Sequence, residues 1–406
     1  ALDQKRDFDL FRLSTKNAWL ASERSRFEWN AYGSQKHLDH PIFQVIDQRS
    51  LDLGADLRFE RSGEFRGRAH RFLVGFAPAL GTVDDRRFVN VGGRRGAATA
   101  KGDTDSTNLD LYAEERVELR ANWTLTAGFV ASHATRDFDD RFFTDGDQTD
   151  RQSFNGFSPK LGVIWQARPN LSVFANVAQS FEPPSFGELV NRGGDGLLAL
   201  EEQTATSIEL GSRGGSTRFG WEAVLYHARL DGELLSLNDP TGNPLGTINA
   251  DRTIHRGAEV GWQATVVSRD PWRLSFHQVY TWNDFRFDGD RTFGNRRLAG
   301  VPEHLTRSEL RLEMPHGLSF ATSLASASRS PIDHANTLSA DSWSTLNARL
   351  SWNGAGGWKV FVDGRNLGDE TYAATTGVVA DARGRDSAQF LPGDGRSVFF
   401  GFEVRR

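Results

Sequence analysis

The side chains with the most chemical potential are arginines that recur close together. Arg86-Arg87, Arg94-Arg95, Arg296-Arg297, Arg383 with Arg385, and Arg252 beside His255 and Arg256 are candidate anion-binding clusters. A guanidinium grips a carboxylate or phosphate through two parallel hydrogen bonds, so such clusters suit an anionic small molecule. Arginine makes up 42 of the 48 basic residues, so a single arginine carries little information alone. In the 77–107 stretch the basic residues, Lys101 included, are nearly balanced by Asp84, Asp85, Asp103 and Asp105. His37 and His40 have the spacing of a metal pair on a loop, but are read as solvated histidines. No catalytic residue, metal site or cofactor is expected. The absence of Cys excludes disulfides, thiolate metal sites and Cys nucleophiles. No Ser/His/Asp or paired-carboxylate spacing stands out, and Gly92-Gly93-Arg94-Arg95-Gly96 lacks the strand–helix setting of a phosphate loop. A net charge of −5 argues against a nucleic-acid partner.

The elements that must position these residues have period two. Leu51, Leu53, Ala55, Leu57 and Phe59 alternate with Asp52, Gly54, Asp56 and Arg58. Trp123–Ala131, Ala258–Val266, Leu346–Trp352 and Trp358–Val362 repeat the scheme. A strand turns successive side chains to opposite faces, so each segment has one apolar face. The longest nearly apolar run, Leu73–Leu80, is far short of the roughly 20 residues of a membrane helix. Short connections rich in turn residues (Ser62-Gly63-Glu64, Arg120-Ala121-Asn122, Pro315-His316-Gly317) alternate with long polar ones at about 33–49, 77–107, 135–156, 181–203, 231–253, 288–304, 328–342 and 366–395. Short turns on one rim and long loops on the other are the signature of a transmembrane antiparallel β-barrel, an all-β fold.

Seventeen strands are predicted: 9–19, 26–33, 50–60, 67–76, 109–119, 123–134, 157–166, 171–180, 204–212, 218–230, 254–266, 272–287, 305–314, 318–327, 343–352, 358–365 and 396–404. Single-chain bacterial barrels have an even number, so at least one strand is expected upstream. On 109–119 the polar row Asn108, Asp110, Tyr112, Glu114, Arg116 and Glu118 suits a wet lumen. The other row faces lipid, and Glu115 is its one misfit. At the C-terminus Phe400, Phe402 and Val404 form an outward row that Arg406 would continue.

Five segments, in order, resemble TonB-dependent outer-membrane receptors, nearest the ferric-citrate-receptor-like branch. They are Ser172–Pro184, Glu201–Gly211, Asn249-Ala250 with His255–Val260, Phe361–Tyr372 (similar to the family's "NLfDxxY" segment) and Pro392–Arg396. The resemblance implies a barrel of about 22 strands, a plug inside it and a TonB box ahead of the plug. Residues 1–406 are therefore expected to be a partial, N-terminally truncated barrel with no plug domain. The implied function is TonB-coupled uptake of an iron chelate, a siderophore or ferric citrate, with no chemistry on the solute. The implied partners are outer-membrane lipid, the TonB complex through the missing plug and box, and the solute, with the receptor a monomer in the outer membrane of a Gram-negative bacterium. A passive porin-like channel and a receptor for a quinone cofactor or cobalamin are the alternatives.

Overall fold

A computed structural model describes residues 3–144, 146–189, 197–239, 244–354, 356–387 and 389–404. Eight strands open the chain: β1 Asp7–Ser22, β2 Ser25–Pro41, β3 Gln44–Phe65, β4 Arg68–Val91, β5 Arg94–Arg120, β6 Trp123–Asp140, β7 Asp150–Arg168 and β8 Leu171–Glu182. A helical turn, α1 Phe186–Leu189, precedes β9 Gln203–Gly215 and β10 Phe219–Asp231. The small hairpin β11 Leu234–Asn238 and β12 Pro244–Asn249 leads to β13 Arg252–Arg269, β14 Trp272–Phe287, β15 His304–Glu313 and β16 Leu318–Ala327. Then come β17 Ser330–Pro331, β18 Ser339–Ala340, β19 Trp343–Gly354, β20 Trp358–Arg365, β21 Ala373–Thr376, β22 Phe390–Pro392 and β23 Ser397–Val404.

The 17 long strands share one antiparallel sheet, and the three short pairs stand apart in the connections. Each of the 17 predicted segments corresponds to one of the long strands. Among the described residues β1 has a ladder only with β2, and β23 only with β20, so the sheet does not close. The chain divides into two units, Ala1–Val163 with Ala178–Thr204, and Ile164–Val177 with Ala205–Arg406.

In the first unit the ladders run β1–β2–β3–β4–β5–β6 with nearly unbroken register. They bring Trp29, Leu57 and Phe76 into one exposed apolar row across neighbouring strands. Trp19, Phe27 and Phe59 stack beside the short turns, with centroids 5.7 and 4.7 Å apart. An exposed apolar face edged with aromatic rings is what a lipid-facing wall presents, because the ring bodies prefer hydrocarbon and their tips the interface.

Two predicted long loops are corrected here. The 33–49 stretch is mostly β2 and β3, and 77–107 is mostly β4 and β5, joined only by Gly92-Gly93. Both glycines have positive φ, +59° and +82°, as a tight hairpin turn matching the strand twist requires. At about 3.4 Å per residue, the 27 residues of β5 span roughly three times what a membrane-crossing strand needs. Arg86, Arg87, Arg94 and Arg95 therefore sit on strands, not on a loop.

Glu115 does lie in the apolar row, opposite Phe72. His70, one row position away, answers it with an Nδ1–Oε1 contact of 2.9 Å. On the other face Tyr112 donates to Asp56 (2.9 Å), Ser132 to Asp110 (2.5 Å), and Lys160 pairs with Glu114 (2.5 Å). Gly75 clears the path for Tyr112, since a Cβ there would come within 2.2 Å of its ring.

In the second unit the ladders run β10–β13–β14–β15–β16–β19–β20–β23. Leu312, Phe320, Leu350, Val362 and Phe400 form one outward row across five strands. Phe219, Trp262 and Phe276, and Trp358 with Phe402, cluster near the short turns. Phe400 is 80% exposed, as a lipid-facing residue should be. Arg406, expected to continue that row, lies outside the described residues.

The buried apolar core of this unit sits in its long connections. Ala250, Phe287, Phe293 and Leu298 pack together, with Leu235, Ile248, Phe285 and Ala380 against them. Asp333 organises the polar part. Its carboxylate accepts from the Thr337 N–H and hydroxyl, the Leu338 N–H and the Ala382 N–H, at 2.7–3.2 Å. Burial pushes its pKa up, but these donors win and hold it below the usual carboxylate range. His334 beside it is 2% exposed. Its Nδ1 accepts the Ala299 N–H at 3.3 Å, and its ring meets Phe287 edge-on.

Candidate solute-binding surface

At the long-connection end of the first unit most of the candidate cations are already engaged. Asp39 and Asp47 are cross-strand neighbours on β2 and β3. Arg95 bridges them at 3.3 and 2.8 Å, and His37 adds a 2.9 Å contact to Asp47. Two facing carboxylates repel, and the cationic partners offset that repulsion. Arg86 clasps Asp84 and Arg87 clasps Asp85, two residues back along the same strand face. The hydrogen bond from Arg86 holds the Asp84 carboxyl below its usual range. Arg94 is exposed and makes no ion pair among the described residues. His37 and His40 lie on β2, not on a loop, and His40 Nδ1 contacts the Lys5 carbonyl oxygen at 2.6 Å. No cluster of three metal-ligating side chains occurs among the described residues.

In the second unit the Arg252, His255 and Arg256 cluster separates. The pleat sends His255 to one face of β13, and Arg252 and Arg256 to the other. His255 stacks on Phe285, its cross-strand neighbour, with centroids 4.1 Å apart and planes 5° apart. Its Nε2 lies 3.3 Å from a Glu233 carboxylate oxygen that also accepts the Thr253 hydroxyl. Tyr226 donates to Asn283 (2.7 Å) on the same face. Arg252 is shared between Asp231 and Asp288, each at 3.3 Å. Arg297 pairs with Glu303 at 2.8 Å. Among the described residues the Arg296 guanidinium reaches the Phe293 carbonyl, at 3.5 Å, and no carboxylate. Arg383, in a turn with φ +52°, and Arg385 are exposed without ion pairs among the described residues.

Among the described residues, most of the ten candidates are thus held in ion pairs or stacking contacts within their own unit. That leaves Arg94, Arg296, Arg383 and Arg385 as cations with no carboxylate partner among the described residues. The sequence reading missed Glu233, Thr253, Phe285 and Asn283. Phe285 and Asn283 were within the predicted strand, but their association with His255 and Tyr226 required the cross-strand register.

The sequence pattern described as "TonB dependent receptor-like, beta-barrel" matches residues 2–367. The chain belongs to the TonB-dependent receptor β-barrel family. Barrels of this family of transport receptors lie in the outer membrane of Gram-negative bacteria. Among curated proteins the receptor resembles the metal-pseudopaline receptor CntO of Pseudomonas aeruginosa strain UCBPP-PA14, with 21% identity over 308 residues. That match covers 70% of this chain and 41% of CntO. Among solved structures it is similar to the ferric yersiniabactin uptake receptor FyuA from Yersinia pestis, at 17% identity and a TM-score of 0.78. Similar too are the ferric citrate transporter FecA (15%, 0.78) and the siderophore receptor PiuA from Acinetobacter baumannii (13%, 0.76). Each comparison covers 98% of this chain, and 61%, 61% and 64% of the respective neighbour. At these identities the likeness establishes the barrel fold, consistent with the ladder order and the aromatic edges.

Proposed function

We propose that this chain forms barrel wall and external connections of a monomeric receptor that takes up an anionic metal chelate, an iron–siderophore or ferric citrate, with TonB coupling in the whole protein. The carrying observation is the set of unpaired arginines on the long connections of the second unit. Among the described residues, most arginines near these connections are matched to carboxylates, whereas Arg296, Arg383 and Arg385 are exposed and make no ion pair. Guanidiniums held ready at a surface, with no internal carboxylate to displace, suit a carboxylate-bearing ligand. CntO, FyuA, FecA and PiuA are receptors or transporters for metal chelates or siderophores, which supports the same ligand class.

The test is uptake of labelled ferric citrate and of a panel of ferric siderophores by cells expressing the complete receptor, with and without TonB. One chelate is expected to accumulate only with TonB. Arg383→Glu with Arg385→Glu is expected to weaken its binding at least about tenfold, since each change removes a charge-assisted contact and adds repulsion. Rapid leakage of small sugars through the complete receptor in liposomes would refute gated transport in favour of a passive pore.

A further inference from the structure

We infer that the short-turn rim of the second unit is a docking surface for an acidic peptide segment of a soluble periplasmic protein. The short turns of such barrels face the periplasm, and the long connections face outward. Three neighbouring turns build this rim, those between β7 and β8, β9 and β10, and β13 and β14. Hydrogen bonds stitch them together. Gly215 N–H donates to the Asn170 carbonyl at 3.0 Å, and the Asn170 side-chain amide to the Gly215 carbonyl at 2.8 Å. Thr265 N–H on β13 donates to the Arg218 carbonyl at 2.7 Å. The turns and adjoining strand ends carry Arg168, Arg213, Arg218, Arg269 and Arg273, all exposed and without an ion pair among the described residues. Against these five arginines stand three carboxylates, Asp270, Glu222 and Glu313. Arg273 is level with Glu313 across the ladder, but the two make no salt bridge. Positive charge is therefore in excess, and it is not consumed internally.

Two further observations choose the partner. Arg273 lies on the face of β14 opposite Leu274 and Phe276 of the apolar row. Arg213 lies opposite Ile208 and Leu210, which are exposed by 55% and 53%, and its guanidinium stands 5.9 Å over the Phe174 ring. Both guanidiniums thus turn away from the lipid-facing side, so the partner arrives through water. A cavity of about 580 Å³ opens beside Arg213, lined by Asn170, Ser172, Glu222, Gln263 and His277. Gly220 and Gly261, which bring no side chain, leave its floor open. Gln263, His277 and Glu222 hold no side-chain hydrogen bond among the described residues. Amide and imidazole groups match the N–H and C=O groups of an extended peptide, and Glu222 adds an acceptor for its N–H groups. Guanidiniums match its carboxylates. This surface is at the opposite end of the strands from Arg383 and Arg385, and it does not depend on which solute the receptor takes up.

The experiment titrates the complete receptor in detergent micelles with fluorescein-labelled decaglutamate and with decaglutamine, read by fluorescence anisotropy at low salt. Decaglutamate is expected to bind at least about tenfold more tightly, and to lose that advantage at about 1 M salt. Arg213→Gln with Arg273→Gln should weaken decaglutamate binding about tenfold. Arg218→Gln, a change at an exposed turn, should weaken it about threefold and serves if the double variant does not fold. Arg383→Gln with Arg385→Gln, on the other rim, should leave it within about twofold, so loss of the solute reading and loss of this one are separable. Equal affinity for the two peptides, unchanged decaglutamate affinity in the folded rim variants, or equally tight binding of a polyphosphate of the same charge would overturn the assignment.

Discussion

Replacing His334 should remove an acid sensitivity from the connections of the second unit. Burial holds its imidazole neutral, lowering the pKa from 6.5 to about 4. Glu233, Asp333 and Asp290 pull the other way and lose. A depressed folded-state value means that the unfolded connection binds the proton more readily. The stability this histidine confers is therefore complete above pH 6.5 and is lost as pH falls toward 4. One proton is worth about 1.4 kcal/mol per pH unit, so the full interval amounts to about 3 kcal/mol. The neutral ring is fixed by Ala299 N–H, which donates to Nδ1, and by Phe287 and Phe293, none of which offers an imidazolium N–H a hydrogen-bond acceptor. Amide hydrogen exchange of the complete receptor at pH 7 and 4.5, corrected for intrinsic rates, reads this directly. Protection around Ile332, Leu338 and Val379 should drop by one to two orders of magnitude on acidification in the wild type. In His334→Gln protection should be nearly the same at both pH values. Equal acid sensitivity in the two proteins would sink the reasoning.

Two further outcomes follow from the same geometry. His70→Leu and Glu115→Leu should each cost about 1–3 kcal/mol, because the survivor faces lipid alone, while the double replacement should regain most of that loss; urea unfolding in lipid vesicles measures the cycle, and additive losses would contradict the pairing. Asp333→Ala leaves three backbone N–H donors, that of Ala382 buried, unanswered and should loosen the connections by about 2–4 kcal/mol. Limited proteolysis should then cut near 330–340 and 373–392 with the strands still protected, and unchanged cutting would count against Asp333 as the organiser.

The sequence was most legible where only one strand face is wet. There alternation is enforced by lipid, and all 17 strands were visible from it. Alternation vanishes where both faces meet water, although the backbone ladder continues. That is why Arg86, Arg87, Arg94 and Arg95 were read as loop residues and lie on β4 and β5. The spacing of Asp84-Asp85 before Arg86-Arg87 held an unused signal, because residues two apart share a strand face. Glu115 stood out as a misfit, but its partner His70 is 45 residues away and needed the register. The packing of Asp333 and His334 had no periodic trace at all. It is built from irregular backbone, in which contacts between residues 299, 334 and 380 follow no spacing rule.

The hydrogen bonds around Asp333 also decide where foreign sequence could be carried on this receptor. One carboxylate ties residues 337 and 338 to residue 382, and the backbone of His334 and Ala335 ties 334–335 to 379–380. Ala299 joins the same assembly through His334. These three connections thus behave as one mechanical part, and a peptide inserted into any of them would strain the other two. In the first unit, the Gly92-Gly93 tip joins two long strands, and a Cβ at Gly92 would meet nothing within 4 Å. An epitope tag or fluorophore site belongs there, at the end of a long ladder whose register does not depend on it.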